Sequence, residues 1–353
     1  MNKNIEKVFK LADDSTKRYP PKKLNWSWGQ ALYLFGLSLI DKEMGSDKYT
    51  DYLKAYYDHY IEKGHRVDTS DTSAPGLGAY VLAKKTKEQK YIDEVARVRR
   101  YLDEAPKVIE GLPNHLGTGI ESYFYPESVW VDSMMMYGVF CSMFAKGEGD
   151  KELMAFAEKQ PALFEKYLKD PHTGLFYHCY WTKKKTHYPR KPIFWGRGNG
   201  WVTAAISLYL DNYEDEKAKA EAIRVHKELS ENLARYQRED GYFETILNMP
   251  GFSYTESSAT MLIAAGWFFG WRKGFLSKEY YDRAVKAFDA VVDDFEVKND
   301  LLSMTKISAP TTPFPLMKYA SYKITPRGKN WHYGLFAAFI AAIEYKKCLE
   351  KKE

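Results

Sequence analysis

Cysteine is scarce in this 353-residue chain. Its three cysteines, Cys141, Cys179 and Cys348, form no CxxC pair and no even framework. That excludes a disulfide-stapled fold and a cysteine-built zinc site. Two of them sit in apolar or aromatic segments and read as small core residues, so a reducing compartment fits. The histidines show no HExxH or other ligand spacing, and no metal is expected. The longest apolar runs fall short of the roughly 18–20 residues of a membrane span. The opening MNKNIEKVFKLADD has no apolar stretch of the kind a signal peptide carries. A soluble, cytoplasmic protein is expected, with a trimmed periplasmic form as the alternative. No Pro/Gly/Ser-rich linker divides the chain, so one domain over residues 1–353 is expected. Charge of one sign is also missing as a block. The 52 basic and 47 acidic residues are interspersed and leave a net +5, which gives no footprint for nucleic acid. Alternating β-branched runs joined by hairpin turns are nearly absent.

What the chain has is aromatic residues, at 16%, and a repeat. Six apolar helical runs begin near Trp28, Thr72, Val131, Gly200, Ser257 and Tyr333. Between them lie one-sided helices. In Lys48–Lys63, the residues Tyr49, Tyr52, Leu53, Tyr56, Tyr57, Tyr60 and Ile61 recur at steps of three and four. The runs themselves, such as VDSMMMYGVFCSMFA from Val131, are apolar nearly all round and must be buried on every side. Six all-sided helices alternating with six one-sided ones predict an all-α (α/α)6 barrel, inner ring within outer ring. Irregular spacing between the inner helices favours a closed toroid with functional loops over a strict solenoid. Inner helices that run parallel bring their N-termini to one face, which favours an anionic ligand there.

Polar and aromatic clusters precede each inner run. The first holds Trp26 and Trp28, and the second Asp68 and Asp71 in VDTSDTSAPGLGAY. The third holds Trp130 and Asp132, whose setting of Val131 and three Met makes a carboxylate costly unless it is paired or functional. Desolvation would raise its pKa and suit it to general acid work, and a helix N-cap is the ordinary alternative for both Asp71 and Asp132. FWGRGNGW, from Phe194, is the densest cluster. Arg197 suits a carboxylate, and Trp195 and Trp201 suit sugar faces. Its glycines follow no strand, so it is no nucleotide fingerprint. GLFYHCYW contributes His178, a hydrogen-bonding candidate. Glu256 reads as a cap or floor residue. The last cluster holds Lys329, Trp331 and His332, with Lys329 or Arg327 as charge for an anion. Trp28, Trp331 and His332 are candidate substrate contacts.

The segments WVDSMMM, GLFYH, FWGRGNGW and YTESSATM, in this order, resemble the unsaturated glucuronyl and rhamnogalacturonyl hydrolases, glycoside hydrolase families 88 and 105. The likeness is greater to the rhamnogalacturonyl branch and runs from about Trp26 to the C-terminus. The resemblance implies an (α/α)6 barrel that removes a terminal 4,5-unsaturated uronic acid by hydrating its C4=C5 enol ether, without a cofactor. It implies that Asp132 is the acid/base and Asp71, with Gly76 five residues on, the second carboxylate. It gives Trp195, Arg197, Trp201 and His178 to substrate binding. On that reading Asp132 starts protonated and Asp71 ionised. Unsaturated galacturonyl-rhamnose is the first substrate expected and glucuronyl-linked saccharides the second. Two positions depart from the family: Trp28 stands where Tyr is common, and Glu121 where His is common, with His115 a little earlier. The competing readings are a sugar 2-epimerase-like barrel, which needs paired His, an ordinary inverting glycosidase, and a non-catalytic saccharide-binding barrel. The partner expected is an unsaturated uronyl di- or oligosaccharide.

Overall fold

The computed structural model describes residues 2–314 and 319–352. Fourteen helices are described: α1 (Lys3–Arg18), α2 (Trp28–Met44), α3 (Thr50–Lys63), α4 (Ser70–Ser73), α5 (Gly76–Thr86), α6 (Gln89–Glu104), α7 (Val139–Glu148), α8 (Lys151–Leu168), α9 (Gly196–Leu210), α10 (Glu216–Leu233), α11 (Ser257–Lys273), α12 (Lys278–Asp293), α13 (Ala320–Lys323) and α14 (His332–Lys352). The inner ring closes through the contacts α2–α5, α5–α7, α7–α9, α9–α11, α11–α14 and α14–α2. Helices α3, α6, α8, α10 and α12 follow their inner partners on the outside. The first helix, α1, packs on the last, α14, and completes the sixth hairpin. This is an (α/α)6 barrel.

The two rings form for different reasons. Outer helices are amphipathic. On α6, Tyr91, Val95, Val98, Tyr101 and Leu102 face inward and are buried, each large apolar side chain contributing about 1.5–3 kcal/mol. Two outer helices, α8 and α10, start on aspartate caps, Asp150 and Asp215. Inner helices are buried all round and held close by small residues. A Cβ on Gly200 of α9 would lie 2.9 Å from the Leu262 Cβ, and one on Gly266 of α11 would lie 2.7 Å from the Thr203 Cβ. The crossing of these two helices therefore requires glycine at both points.

Short strands decorate the mouth where the sequence promised almost none. They are β1 (Lys107–Ile109), β2 (Leu112–Pro113), β3 (Ser128–Trp130), β4 (Cys179–Trp181), β5 (Thr186–Tyr188), β6 (Glu296–Lys298), β7 (Leu301–Ser303), β8 (Ile307–Ser308) and β9 (Arg327–Gly328). At two or three residues each, they are too short for an alternating pattern to register. The β3–β4–β5 sheet is antiparallel, with Trp130 opposite Cys179, and it lies beside the residues with the most chemistry. The far end of the barrel carries a cavity of about 310 Å³ among Leu39, Phe269, Ile340 and Ile343, remote from that sheet. No helix among the described residues is long and apolar enough to cross a membrane. The three cysteines are buried, and none is in a disulfide among the described residues.

Candidate active site

Asp71 belongs to α4, the single turn ahead of the second inner helix. Thr69 caps that turn: its Oγ1 accepts from the Thr72 N–H at 3.0 Å, and Thr72 Oγ1 accepts from the Thr69 N–H at 2.9 Å. The Asp71 carboxyl is thus not used as a cap. The turn is fixed from behind by Trp26, whose Nε1 donates to the Thr72 carbonyl at 3.2 Å. The Trp26 ring lies 3.7 Å from His65 and is stacked on Tyr56. Trp26 is therefore a buttress among the outer aromatics.

Asp132 lies just beyond β3. The N–H groups of Met135 and Met136 donate to its main-chain carbonyl at 2.9 and 3.0 Å. Its side chain caps nothing. A five-residue π-helical stretch, Met134–Gly138, follows, the kind of helix defect that recurs at functional sites. The Val131 N–H donates to the His178 carbonyl at 2.9 Å, which sets the two side chains together. His178 Nε2 lies 3.3 Å from Asp132 Oδ2. His115 Nε2 lies 3.6 Å from Asp71 Oδ1, while its Nδ1 is 2.9 Å from Ser133 Oγ and its ring is stacked on Trp130 at 4.3 Å.

The two carboxyl groups are driven apart electrostatically. Burial, then the charges of Asp132 and Glu121, push the Asp71 carboxyl up to about 8. Its side chain is still 37% exposed, so solvent reaches it from the open mouth. Asp132 is only 8% exposed. Burial acts to raise its pKa, but His178, His115 and Arg197 outweigh that and hold it below the usual carboxylate value. The pair thus carries one proton over a wide range around neutrality, and its two ionisations belong to the pair. These shifts favour the proton on Asp71, where the sequence pointed to Asp132. An apolar setting around Asp132 is real, but the His178 imidazole lies within reach and decides the outcome.

A run of stacked rings lines the site. His178 is stacked on Trp195 at 4.2 Å. The Arg197 guanidinium lies 4.6 Å from both the Trp195 and Tyr333 rings. Tyr333 is stacked on Trp28 at 4.6 Å, and Trp28 meets Trp201 edge-on at 6.4 Å. The indole N–H groups of Trp195 and Trp201 are buried without an acceptor among the described residues.

Other expected roles do not match the geometry. Arg197 is wholly buried. It donates to the carbonyls of Ser308 at 3.1 Å and Ala309 at 3.2 Å and to Thr311 Oγ1 at 3.3 Å, and it lies 3.8 Å from Glu256. With its Nη donors engaged, it fastens the chain at the end of β8 and just after it, and its buried Nε is left without an acceptor among the described residues. Glu256 is the N-cap of α11, accepting from the N–H groups of Ser258 and Ala259, so that helix end is already neutralised by its own chain. His332 sits between Tyr19 and Tyr33 at 4.9 and 5.2 Å, away from the carboxylate pair. Trp331 stands at the rim, 38% exposed and parallel to Tyr333 at 6.2 Å. Lys329 is paired with Glu296, and Arg327 lies over Tyr254. Tyr333 and Tyr322 were missed as site residues. Tyr333 announces itself only as the start of an apolar run. Tyr322, whose hydroxyl is 2.9 Å from His178 Nδ1, comes from 144 residues away with no local signal. Among the described residues no group of three or more His, Cys, Asp or Glu is arranged to hold a metal ion.

The chain and its fold have counterparts. The chain is 29% identical over 345 residues to the unsaturated rhamnogalacturonyl hydrolase YesR of Bacillus subtilis, covering 96% of this chain and 95% of that protein. Its fold superposes on a family 105 glycoside hydrolase from C. acetobutylicum with a TM-score of 0.86 at 23% identity, covering 96% of this chain and 99% of the other. It superposes on the unsaturated glucuronyl hydrolase of Bacillus sp. GL1 with a TM-score of 0.69 at 15% identity, covering 96% and 95%. The profile of Glycosyl Hydrolase Family 88 matches residues 2–349, and the chain belongs to that family of glycoside hydrolases.

Proposed function

We propose that this enzyme removes a terminal 4,5-unsaturated uronic acid from oligosaccharides left by a polysaccharide lyase, and that it does so by hydrating the C4=C5 enol ether. The observation that carries the reading is the pair of carboxyl groups, Asp71 beside the His115 imidazole and Asp132 beside the His178 imidazole, at the edge of an aromatic wall. Hydration needs one proton delivered to C4 and one removed from the water that adds at C5. Asp71, protonated in the free protein, delivers the first. Asp132, ionised beside His178, takes the second and stabilises the positive charge that develops at C5. The resulting hemiketal opens to a C5 ketone, and the C1 hemiacetal so formed expels the remaining saccharide as its alcohol. No bond is broken by attack at C1, so the carboxyl-separation rule of ordinary glycosidases does not govern the outcome.

Trp28 and Tyr333 offer ring faces to the sugar, and the free indole N–H groups of Trp195 and Trp201 offer donors to its oxygens. The uronate carboxylate is matched by the first-turn N–H groups of α2, which no side chain caps, and by those of α9 other than Gly196, whose N–H donates to the Thr245 carbonyl at 2.9 Å. Unsaturated galacturonyl-rhamnose is the preferred substrate, by likeness to the rhamnogalacturonyl hydrolase of Bacillus subtilis, and glucuronyl-linked saccharides come second. A panel of unsaturated uronyl disaccharides tests the reading. The ultraviolet absorbance of the enol ether is lost on adding the enzyme, and Asp132→Asn abolishes the loss while binding persists. Undiminished turnover in Asp132→Asn would contradict the assignment.

A further inference from the structure

We propose that Tyr322 is a positioning residue, its phenol selecting the His178 tautomer that turns an N–H toward Asp132. The proposal rests on the reading of Asp132 as the ionised member of the catalytic pair. Tyr322 is fully buried. Among the described residues, its hydroxyl has one hydrogen-bonding partner, His178 Nδ1 at 2.9 Å. A buried O–H with a single neighbour donates to it, because leaving that proton unpaired costs about 1–3 kcal/mol. Nδ1 is then an acceptor and carries no hydrogen, so the imidazole proton lies on Nε2. Nε2 is the atom 3.3 Å from Asp132 Oδ2, close enough for attraction though the two are not aligned as a hydrogen bond. The opposite tautomer would set two lone pairs against each other there and leave the phenol proton without an acceptor.

Tyr322 reaches His178 because its segment is pinned at both ends. Helix α13, which carries it, lies between β8 and β9, and those strands are paired with each other. The Ala309 N–H donates to the Pro326 carbonyl at 2.9 Å, and Tyr254 donates to the Thr325 carbonyl at 2.7 Å. At the near end Arg197 holds Ser308, Ala309 and Thr311, Glu256 accepts from the Ser308 N–H at 2.9 Å, and Tyr333 donates to the Ser308 carbonyl. Arg197 thus acts on the chemistry through Tyr322 and His178, across the fold.

Two measurements test this. Nitrogen-15 NMR of histidine-labelled protein, with the His178 signals assigned from His178→Gln, reads the tautomer without any substrate. The wild type should show a protonated Nε2 and an unprotonated Nδ1, and Tyr322→Phe should show a mixture. In activity, Tyr322→Phe should leave the melting temperature nearly unchanged. It should lower kcat/KM about tenfold on the acid side of the pH profile, where Asp132 has lost the donor that keeps it ionised, and less at higher pH. The other ionisable groups around Asp132 are Asp71 on α4, His115 ahead of β3, Arg197 on α9, and Cys179 on β4, and the substitution removes none of them. A protonated Nδ1 in the wild type would overturn the proposal. So would an unaltered tautomer in Tyr322→Phe, or a loss uniform across pH. Failure of the substrate reading would appear separately, as an inactive wild type with the tautomer result intact.

Discussion

Glu121 is exposed on the turn Ile120–Tyr123, yet its charge reaches Asp71 and helps to hold that carboxyl at about 8. Removing the charge makes ionisation of Asp71 easier, so its pKa falls and the pair loses its proton at lower pH. Glu121→Gln should therefore move the basic limb of the kcat profile to lower pH. A limb that stays in place would separate Asp71 from the titrating group. Asp132 stood out in the sequence because a carboxylate beside three Met is conspicuous, whereas Asp71 looked like an ordinary helix entry and was singled out by its place at the neighbouring inner helix and by the family resemblance. Their protonation was not legible, because it is set by groups brought in from loops: His178 at Asp132, Glu121 near Asp71. His115 shows the same limit. Its own segment looks like an ordinary turn, and only folding brings it to 3.6 Å from Asp71.

At the scale of elements, Arg197 separates two accounts of the α9 entrance. A ligand clamp would leave the empty protein indifferent to its loss. A buried fastener would not. Arg197→Met breaks a wholly buried charge pair with Glu256 and frees the carbonyls of Ser308 and Ala309, and should destabilise the protein by about 3–5 kcal/mol. Calorimetry without ligand checks this, and an unchanged melting temperature would return Arg197 to the clamp role. Helices were readable in sequence because their periodicity runs over ten residues or more: the runs at Trp28, Gly200, Ser257 and Tyr333 begin within four residues of α2, α9, α11 and α14, while the run at Val131 precedes α7 by eight residues because the π-helical stretch Met134–Gly138 intervenes. The second inner run was blurred by Pro75, which splits α4 from α5. The small sheets were illegible, since β3 and β4 have three residues each and are specified by their partner rather than by their own pattern.

For the molecule as a whole, three imidazoles make stability depend on pH. His115, His226 and His332 are each pushed down from 6.5 to about 4 by burial. Their folded pKa values lie below the unfolded ones, so the stability they contribute is complete above 6.5 and is lost as pH falls toward 4. The melting temperature should drop steeply over that interval, and His226→Gln, a buried position on α10 remote from the site, should make the drop shallower. The barrel also explains why the site is where it is: parallel inner helices bring their N-terminal ends to one mouth, and the groups of the pair and its aromatic wall come from those helix ends and the loops that lead into them. The central claim is that the chemistry occurs at C4 and C5. An unsaturated uronyl C-glycoside, whose C1 bond cannot be hydrolysed, tests it most directly. Incubated in D2O, it should lose its enol-ether absorbance and gain one deuterium at C4 with the wild type and not with Asp132→Asn. A C-glycoside left untouched by an enzyme that cleaves the matching O-glycoside would place the chemistry at C1 and contradict the account.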